Sequence, residues 1–321
     1  MKKTTLLSKI ILLSGLALMI NHHSNAQYYW DAGVHIGPSN YLGDMGGNEL
    51  TRRNFVSDMK MSQTRMSAGA FTRYKIDRNF SGIADLNWVR ISGDDKLSSN
   101  PGRNGRNLNF RDDMVELTVS AQYTFFTVYD LGHTYRYRNS FRAFVGLGAG
   151  ADLFAPKANY NGQYVALRPL ETEGVRYSKV TAVIPATAGF YFTLNKHYRI
   201  GYTMNWRTTF TDYLDDVSTK YADPATLPSA LSAELANRTD ELPVSSAFAE
   251  NYTPGNKRGD PTHKDSYLTS TVDMSYVIRG HYNGYGSHDW LYDRQHHGPT
   301  RYDGPSHHPH ALLVRKRRVH W

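Results

Sequence analysis

The chain has 321 residues, a net charge of +8 and no cysteine. The missing thiols exclude a lipid-anchored cysteine, a disulfide framework and thiolate metal sites. The positive charge is spread along the chain without a separate aromatic-stacking motif, so it reads as surface charge and not as a nucleic-acid interface.

At the front, Lys2, Lys3 and Lys9 precede and flank an apolar run from Ile10 to Ile20, followed by Ser24-Asn25-Ala26. A basic head, a short apolar core and a small residue at the cut site describe a secretory signal. Residues 1–26 are therefore expected to be removed between Ala26 and Gln27. The run is too short to be an anchor, because a spanning helix needs about 20 apolar residues.

Eight stretches that alternate apolar and polar residues follow. The first covers about Tyr28 to Gly37, and a loop takes Pro38 to Ser62. The second, Thr64 to Ile76, sets Met66, Ala68, Ala70, Thr72 and Tyr74 on one face. A tight turn, Asp77-Arg78-Asn79, leads into the third, Phe80 to Ser92, where Ala84, Leu86 and Trp88 oppose Asp85 and Asn87. Gly93 to Arg111 is rich in turn residues and has no apolar period. The fourth stretch is the clearest. Val115, Leu117, Val119, Ala121 and Tyr123 share one face, and Glu116, Thr118, Ser120, Gln122 and Thr124 share the other. Successive side chains of a strand point to opposite sides, so this is a two-faced ribbon ending near Tyr129.

Asp130 to Ser140 is a modest connection to the fifth stretch. There Phe141, Ala143, Val145, Leu147 and Ala149 face away from Arg142, Gly146, Gly148 and Gly150. Glycines on the inner face leave room for large neighbours in a narrow barrel. A loop from Ala155 to Tyr177 precedes the sixth, Val180 to Leu194, whose Pro185 must sit at a bulge or where no ladder bond is needed. Asn195-Lys196-His197 gives the seventh, with Ile200, Tyr202, Met204 and Trp206 against Thr203, Asn205 and Arg207. The longest loop, Tyr213 to Lys264, carries a helix-like stretch at Pro228 to Asn237. The eighth, Asp265 to Ile278, sets Leu268, Val272, Met274, Tyr276 and Ile278 opposite Thr269, Thr271, Asp273 and Ser275.

The connections alternate long and short from the first to the last. This is the pattern of an all-β, eight-stranded antiparallel transmembrane β-barrel with long extracellular loops and short periplasmic turns. Residues 27–279 form that barrel, and with an even strand number both termini lie in the periplasm of an outer membrane. The low mean hydropathy of −0.56 is compatible, because half of each barrel strand is polar. The 23 tyrosines fit aromatic girdles at the two interfaces. A soluble lipocalin-like barrel also has eight strands, but it is apolar inside. Here Arg65, Asp85, Glu116, Arg142, Arg207 and Asp273 share a face with small polar groups. They imply an ion-paired interior too narrow for a channel, and hence not a porin.

Residues 280–321 are a separate tail. It holds His281, His288, His296, His297, His307, His308, His310 and His320 and the basic run Arg315-Lys316-Arg317-Arg318. A His-rich tract can bind Zn²⁺, but this spacing specifies no geometry, so a disordered or extended polar tail is the expected reading. The basic run could meet acidic lipid headgroups or an acidic partner.

Two short motifs go beyond a generic barrel: Ser39-Asn40-Tyr41-Leu42-Gly43-Asp44 after the first strand, and Phe210-Thr211-Asp212-Tyr213-Leu214-Asp215-Asp216-Val217-Ser218 after the seventh. Together with the exported start at Gln27, they resemble the PorG-like outer-membrane proteins of the Bacteroidota type IX secretion system, over roughly Gln27 to Ile278. That resemblance implies a non-enzymatic role in protein export and gliding, with no cofactor. It also implies partners, namely a periplasmic ring of a PorK-type lipoprotein and a PorN-type protein, besides outer-membrane lipid. On this reading the tail docks onto the ring, with Trp290, Tyr292, Tyr302 and Trp321 as anchors and Arg315, Lys316, Arg317 and Arg318 steering.

The motif residues Tyr41, Gly43, Asp44, Thr211, Asp212, Tyr213, Asp215 and Asp216 fall on the external rim. A carboxylate cluster there could hold Ca²⁺, but no loop has the regular Asp spacing of a dedicated site, so loop capping is the expected role. His35 and Ser39 are the best pair for a lipid hydrolase, yet no orienting group or oxyanion site accompanies them. The remaining alternative is a structural or adhesin-like barrel acting through its external loops.

Overall fold

The computed structural model describes residues 30–45, 61–98, 100–129, 131, 139–242 and 250–278. Its strands are β1 (Trp30–Leu42), β2 (Arg65–Lys75), β3 (Phe80–Asp94), β4 (Asn109–Val128) and β5 (Ser140–Leu153). After them come β6 (Lys157–Tyr160), β7 (Gln163–Ala166), β8 (Val180–Leu194), β9 (Tyr198–Thr209) and β10 (Ser266–Ile278). Each wall strand pairs antiparallel with its neighbour in the order β1-β2-β3-β4-β5-β8-β9-β10, and β10 returns to β1. Eight strands thus close into a barrel without an edge, while β6 and β7 form a hairpin joined to β4 through Arg111 and Lys157. No described helix is long and apolar enough to cross a membrane.

Side-chain alternation sets the two surfaces. Outward residues are large and apolar: Val119 is 63% exposed, Leu147 62% and Met274 58%. Aromatics ring the wall near the short turns, with Trp30 against Tyr74 at 4.8 Å and Phe80 against Tyr123 at 5.1 Å. A closed wall with an apolar outer face and an aromatic girdle is a transmembrane β-barrel, because closure satisfies every strand inside lipid. Trp30 and Ile278 are paired, so β1 begins and β10 ends at the end of the barrel that carries the short turns. The opposite end, where the long connections emerge, is called the loop end.

Inward residues are polar and bonded into networks, although Asp31 Oδ1, Asn87 Oδ1 and Asp152 Oδ1 are buried without a hydrogen-bond partner among the described residues. Glu116 accepts from Arg207 Nε at 2.5 Å and Nη2 at 2.8 Å, from Asn87 Nδ2 at 2.9 Å and from the Tyr267 hydroxyl at 2.6 Å. Arg207 also donates to Thr269 at 2.6 Å, and Tyr267 contacts Asp152 at 3.0 Å. Asp85 meets His35 Nε2 and Asn87 Nδ2, each at 3.0 Å, and Asp273 takes the hydroxyls of Thr203 and Thr271. Nearer the turns, Asp31 is fully buried between Arg73 and Arg199, and Tyr191 lies beneath both guanidiniums, at 4.6 and 5.0 Å. Arg142 is buried with them. Gly148 and Gly150 give close backbone approach, since a Cβ at either would press on β4. A cavity of about 40 Å³ lies in the lumen among His35, Arg73, Asp85, Arg207 and Asp273, too small for a solute passage, and the inward side chains fill the barrel around it.

Several boundaries differ from the sequence reading. β1 does not stop at Gly37 but runs through Pro38 to Leu42. Its ladder to β10 lapses between Ile36 and Ser39, which accommodates a residue without an N–H. Pro185 is tolerated in the same way, where the β5–β8 ladder lapses between Leu147 and Gly150. The stretch 93–111 is not structureless. It holds α1 (Pro101–Arg106), capped by Asn100 with proline in the first turn, and β4 already starts at Asn109. The loop 155–177 contains the β6–β7 hairpin, turned by Asn161 and Gly162 at positive φ. The helix-like stretch is α2 (Ala230–Ala236), with Ser229 accepting from Ser232 N.

Candidate functional site

The two motifs meet at the loop end. Tyr41, the penultimate residue of β1, donates its hydroxyl to Asp265 Oδ1 at 2.6 Å, and its ring packs edge-on against Phe110 at 4.8 Å. Asp265 also accepts Leu214 N at 3.0 Å, and its own N–H donates to the Thr211 carbonyl at 3.0 Å. One carboxylate at the start of β10 therefore ties both motifs together. Gly43 lies against the Tyr41 hydroxyl and the Asp265 carboxylate, closer than any Cβ could stand, which is why the motif needs glycine there. Asp44 receives Asp260 N at 2.5 Å, and Asp215 receives Val217 N at 2.9 Å.

A second set of tethers lies around Asp216, which holds a left-handed φ of 66°. Its carboxylate accepts from Tyr177 at 2.6 Å and Thr172 at 2.5 Å, and its carbonyl accepts from Arg258 Nη1 at 2.6 Å. Arg258 also bonds Glu173 at 3.0 Å, and Glu173 caps Ser218 N and Thr219 N, each at 2.9 Å. The Tyr213 ring stacks on Tyr177 at 4.7 Å. Arg106 grips Asp95 at 2.7 and 3.0 Å and reaches the carbonyls of Asp44 and Arg258 at 2.9 and 2.6 Å. Beneath these bonds Met45, Ile91, Leu108, Phe154, Leu167, Leu214, Val217 and Leu235 form an apolar core. The long connections therefore make a packed cap over the barrel mouth.

Burial dominates the electrostatics of the cap. It pushes the Asp212 carboxyl up to about 8, with the Asp215 and Asp44 carboxylates adding and Ser218 opposing. Burial raises Asp215 well above the ordinary carboxylate range, and Asp265 and Asp44 add to it. It also lifts Asp216 to about 6, although Arg258 pulls the other way. These acids hold protons more tightly than surface carboxylates because ionised oxygens in this core would lose their water.

All eight predicted motif residues thus lie in or beside one cap. Among the described residues no group of three or more His, Asp or Glu is placed to hold a metal ion. Asp44 and Asp215 accept backbone amides, Asp44 from another loop, while Asp216 accepts two hydroxyls and neither Asp212 oxygen has a hydrogen-bond partner among the described residues. His35 and Ser39 are not brought together: His35 bonds Asp85 in the lumen, and the Ser39 hydroxyl donates to the Arg90 carbonyl at 2.5 Å. Ala26 and Gln27 lie outside the described residues, as do Trp290, Tyr292, Tyr302, Arg315, Lys316, Arg317, Arg318, Trp321 and the tail histidines. Sequence reasoning missed Arg106, Glu173, Tyr177, Arg258 and Asp265. None of them carries a local pattern, since their partners stand far away in the chain.

The family model described as "Domain of unknown function (DUF6089)" matches residues 8–259. No curated protein matches the chain. Among solved structures, the chain is similar to the attachment invasion locus protein Ail of Yersinia pestis at 10% identity and TM-score 0.31, covering 78% of this chain and 99% of that one. It is similar to Neisserial surface protein A at 7% and 0.36, covering 79% and 100%, and to the outer membrane protein OprG of Pseudomonas aeruginosa at 9% and 0.34, covering 79% and 99%.

Proposed function

The chain belongs to the DUF6089 family, and we propose that it is a non-enzymatic outer-membrane component of the type IX protein secretion and gliding machinery. The observation that carries this reading is the filled lumen beneath a packed cap. A barrel with no passage for solutes works through what its surfaces hold. The resemblance to PorG-like proteins supplies the machine, and its two motifs belong to one built cap. In this reading the short turns face the periplasm, so both ends of the barrel chain emerge there. Residues 280–321 then reach the ring of a PorK-type lipoprotein and a PorN-type protein and hold it against the membrane. Trp290, Tyr292, Tyr302 and Trp321 serve as anchors, and Arg315, Lys316, Arg317 and Arg318 provide steering charge. The test is deletion of Gly280 to Trp321, followed by solubilisation of outer membranes and recovery of the ring with the barrel. Ring recovery should fall sharply; undiminished recovery overturns the docking role.

The cap itself favours a second reading, an adhesin-like or structural barrel that acts through its loops. Loops with their own apolar core present a fixed external surface. Crosslinking the native protein in outer membranes separates the two, because this alternative yields external partners and no ring component.

A further inference from the structure

A cleft of about 320 Å³ opens at the loop end beside β3 and β4, apart from the motif residues. Four cations line it, Arg65, Lys96, Arg111 and Arg238, with Asp94 in the wall and the Asp113 and Glu241 carboxylates behind Arg111 and Arg238. Four side-chain amides and the ring of Tyr164, which is 51% exposed, complete the wall. Two of the cations are held in place. Arg111 bonds Asp113 at 3.0 Å with its guanidinium 4.9 Å from the Tyr164 ring centre. Arg238 is gripped by Glu241 at 2.7 and 2.9 Å and by the Asn159 carbonyl at 3.0 Å. Ser92 lies under the same cleft, 6% exposed, with its hydroxyl oxygen closed off from solvent.

Position narrows the ligand. Trp88 faces outward at the top of the apolar wall, and Ser92 and Asp94 follow on the same side of β3. Asn109 and Arg111 lie on the outward side of β4, which carries exposed Val115 further down. The cleft thus stands just past the lipid-facing belt, at the height of headgroups. Its polar wall does not suit an acyl chain. Planar guanidiniums suit an oxyanion, side-chain amides suit a polyol, and an exposed tyrosine face suits the C–H side of a sugar ring. We propose that this cleft binds a saccharide bearing a phosphate or carboxylate.

Such a sugar could come from an outer-leaflet glycolipid headgroup or from a soluble glycan, so the experiment has two arms. Purified full-length protein in detergent is titrated calorimetrically with glucose 1-phosphate and glucuronic acid in one arm and with lipid A in mixed micelles in the other. Neutral glucose serves as the control. Binding in either arm that weakens about tenfold or more in the Arg111→Gln/Lys96→Gln variant supports the proposal and identifies the source. Heat-modifiable migration confirms that the variant is folded. No binding in either arm, equal binding by wild type and double variant, or equal binding of neutral glucose overturns it.

Discussion

Arg207→Met should destabilise the barrel by about 3–5 kcal/mol, the usual cost of stranding one member of a buried ion pair. Arg207 is 1% exposed and Glu116 is fully buried, so no water replaces the lost partner. The change removes two hydrogen bonds to Glu116, at 2.5 and 2.8 Å, and one to Thr269. The Glu116 carboxylate keeps Asn87 and Tyr267, but it then faces Asp152 across the shared Tyr267 hydroxyl with no cation between them. Replacing both partners, as Glu116→Gln/Arg207→Met, removes the stranded charge and should recover at least about 2 kcal/mol of the loss. Urea titration in lipid vesicles, read by tryptophan fluorescence and electrophoretic mobility, measures each variant. A single-variant loss below about 1 kcal/mol, as for an exposed pair, refutes the reasoning. So does strict additivity in the cycle.

The cap should lose stability as pH rises. Asp212, Asp215 and Asp216 are raised by burial, so between about pH 4 and 8 the folded state binds more protons than the unfolded state, and ∂ΔG/∂pH is negative. The slope is at most about 1.4 kcal/mol per pH unit for each such group, and Asp212→Asn should flatten it in urea melts run from pH 4.5 to 8.5 (roughly the window set by these shifts). An unchanged slope counts against the assignment. Gly43→Ala forces a methyl into the Tyr41–Asp265 contact and should lower the unfolding midpoint by the equivalent of about 1–3 kcal/mol. Val119→Arg places a charge on the lipid face and should cost about 2–4 kcal/mol in vesicles. Planar-bilayer recordings should show no stepwise conductance, and steady unitary currents would contradict a filled lumen.

The wall was legible because burial on one side of a strand repeats every second residue, which β4 keeps up to the bulge between Thr124 and Phe126. The cap was not. Asp265 ties Tyr41 to Leu214 across the chain, and nothing near it in sequence signals such a role. Arg106 and Arg258 read as loop charges because the carbonyls that Arg106 reaches, and the Glu173 and Asp216 partners of Arg258, stand far away in the chain. By sequence Pro38 reads as the start of a loop, whereas a lapse in one ladder lets β1 pass through it. Asn161-Gly162, a two-residue turn with both φ positive between short extended arms, and Asn100-Pro101 at the start of α1 are local signals of structure within the long connections.

The seam between β1 and β10 has a consequence for how the chain folds. Tyr267 on β10 completes the bonding of Glu116, and Asp265 just before it completes that of Tyr41 on β1. Until the last strand arrives, the interior acid and the cap both lack essential partners, and the first strand presents an unpaired edge. Few stable partial structures are available on the way, so insertion should be close to all-or-none. A ribosome that stops short of β10 makes a product fit only for proteolysis, which gives the cell a check on completeness at the final strand.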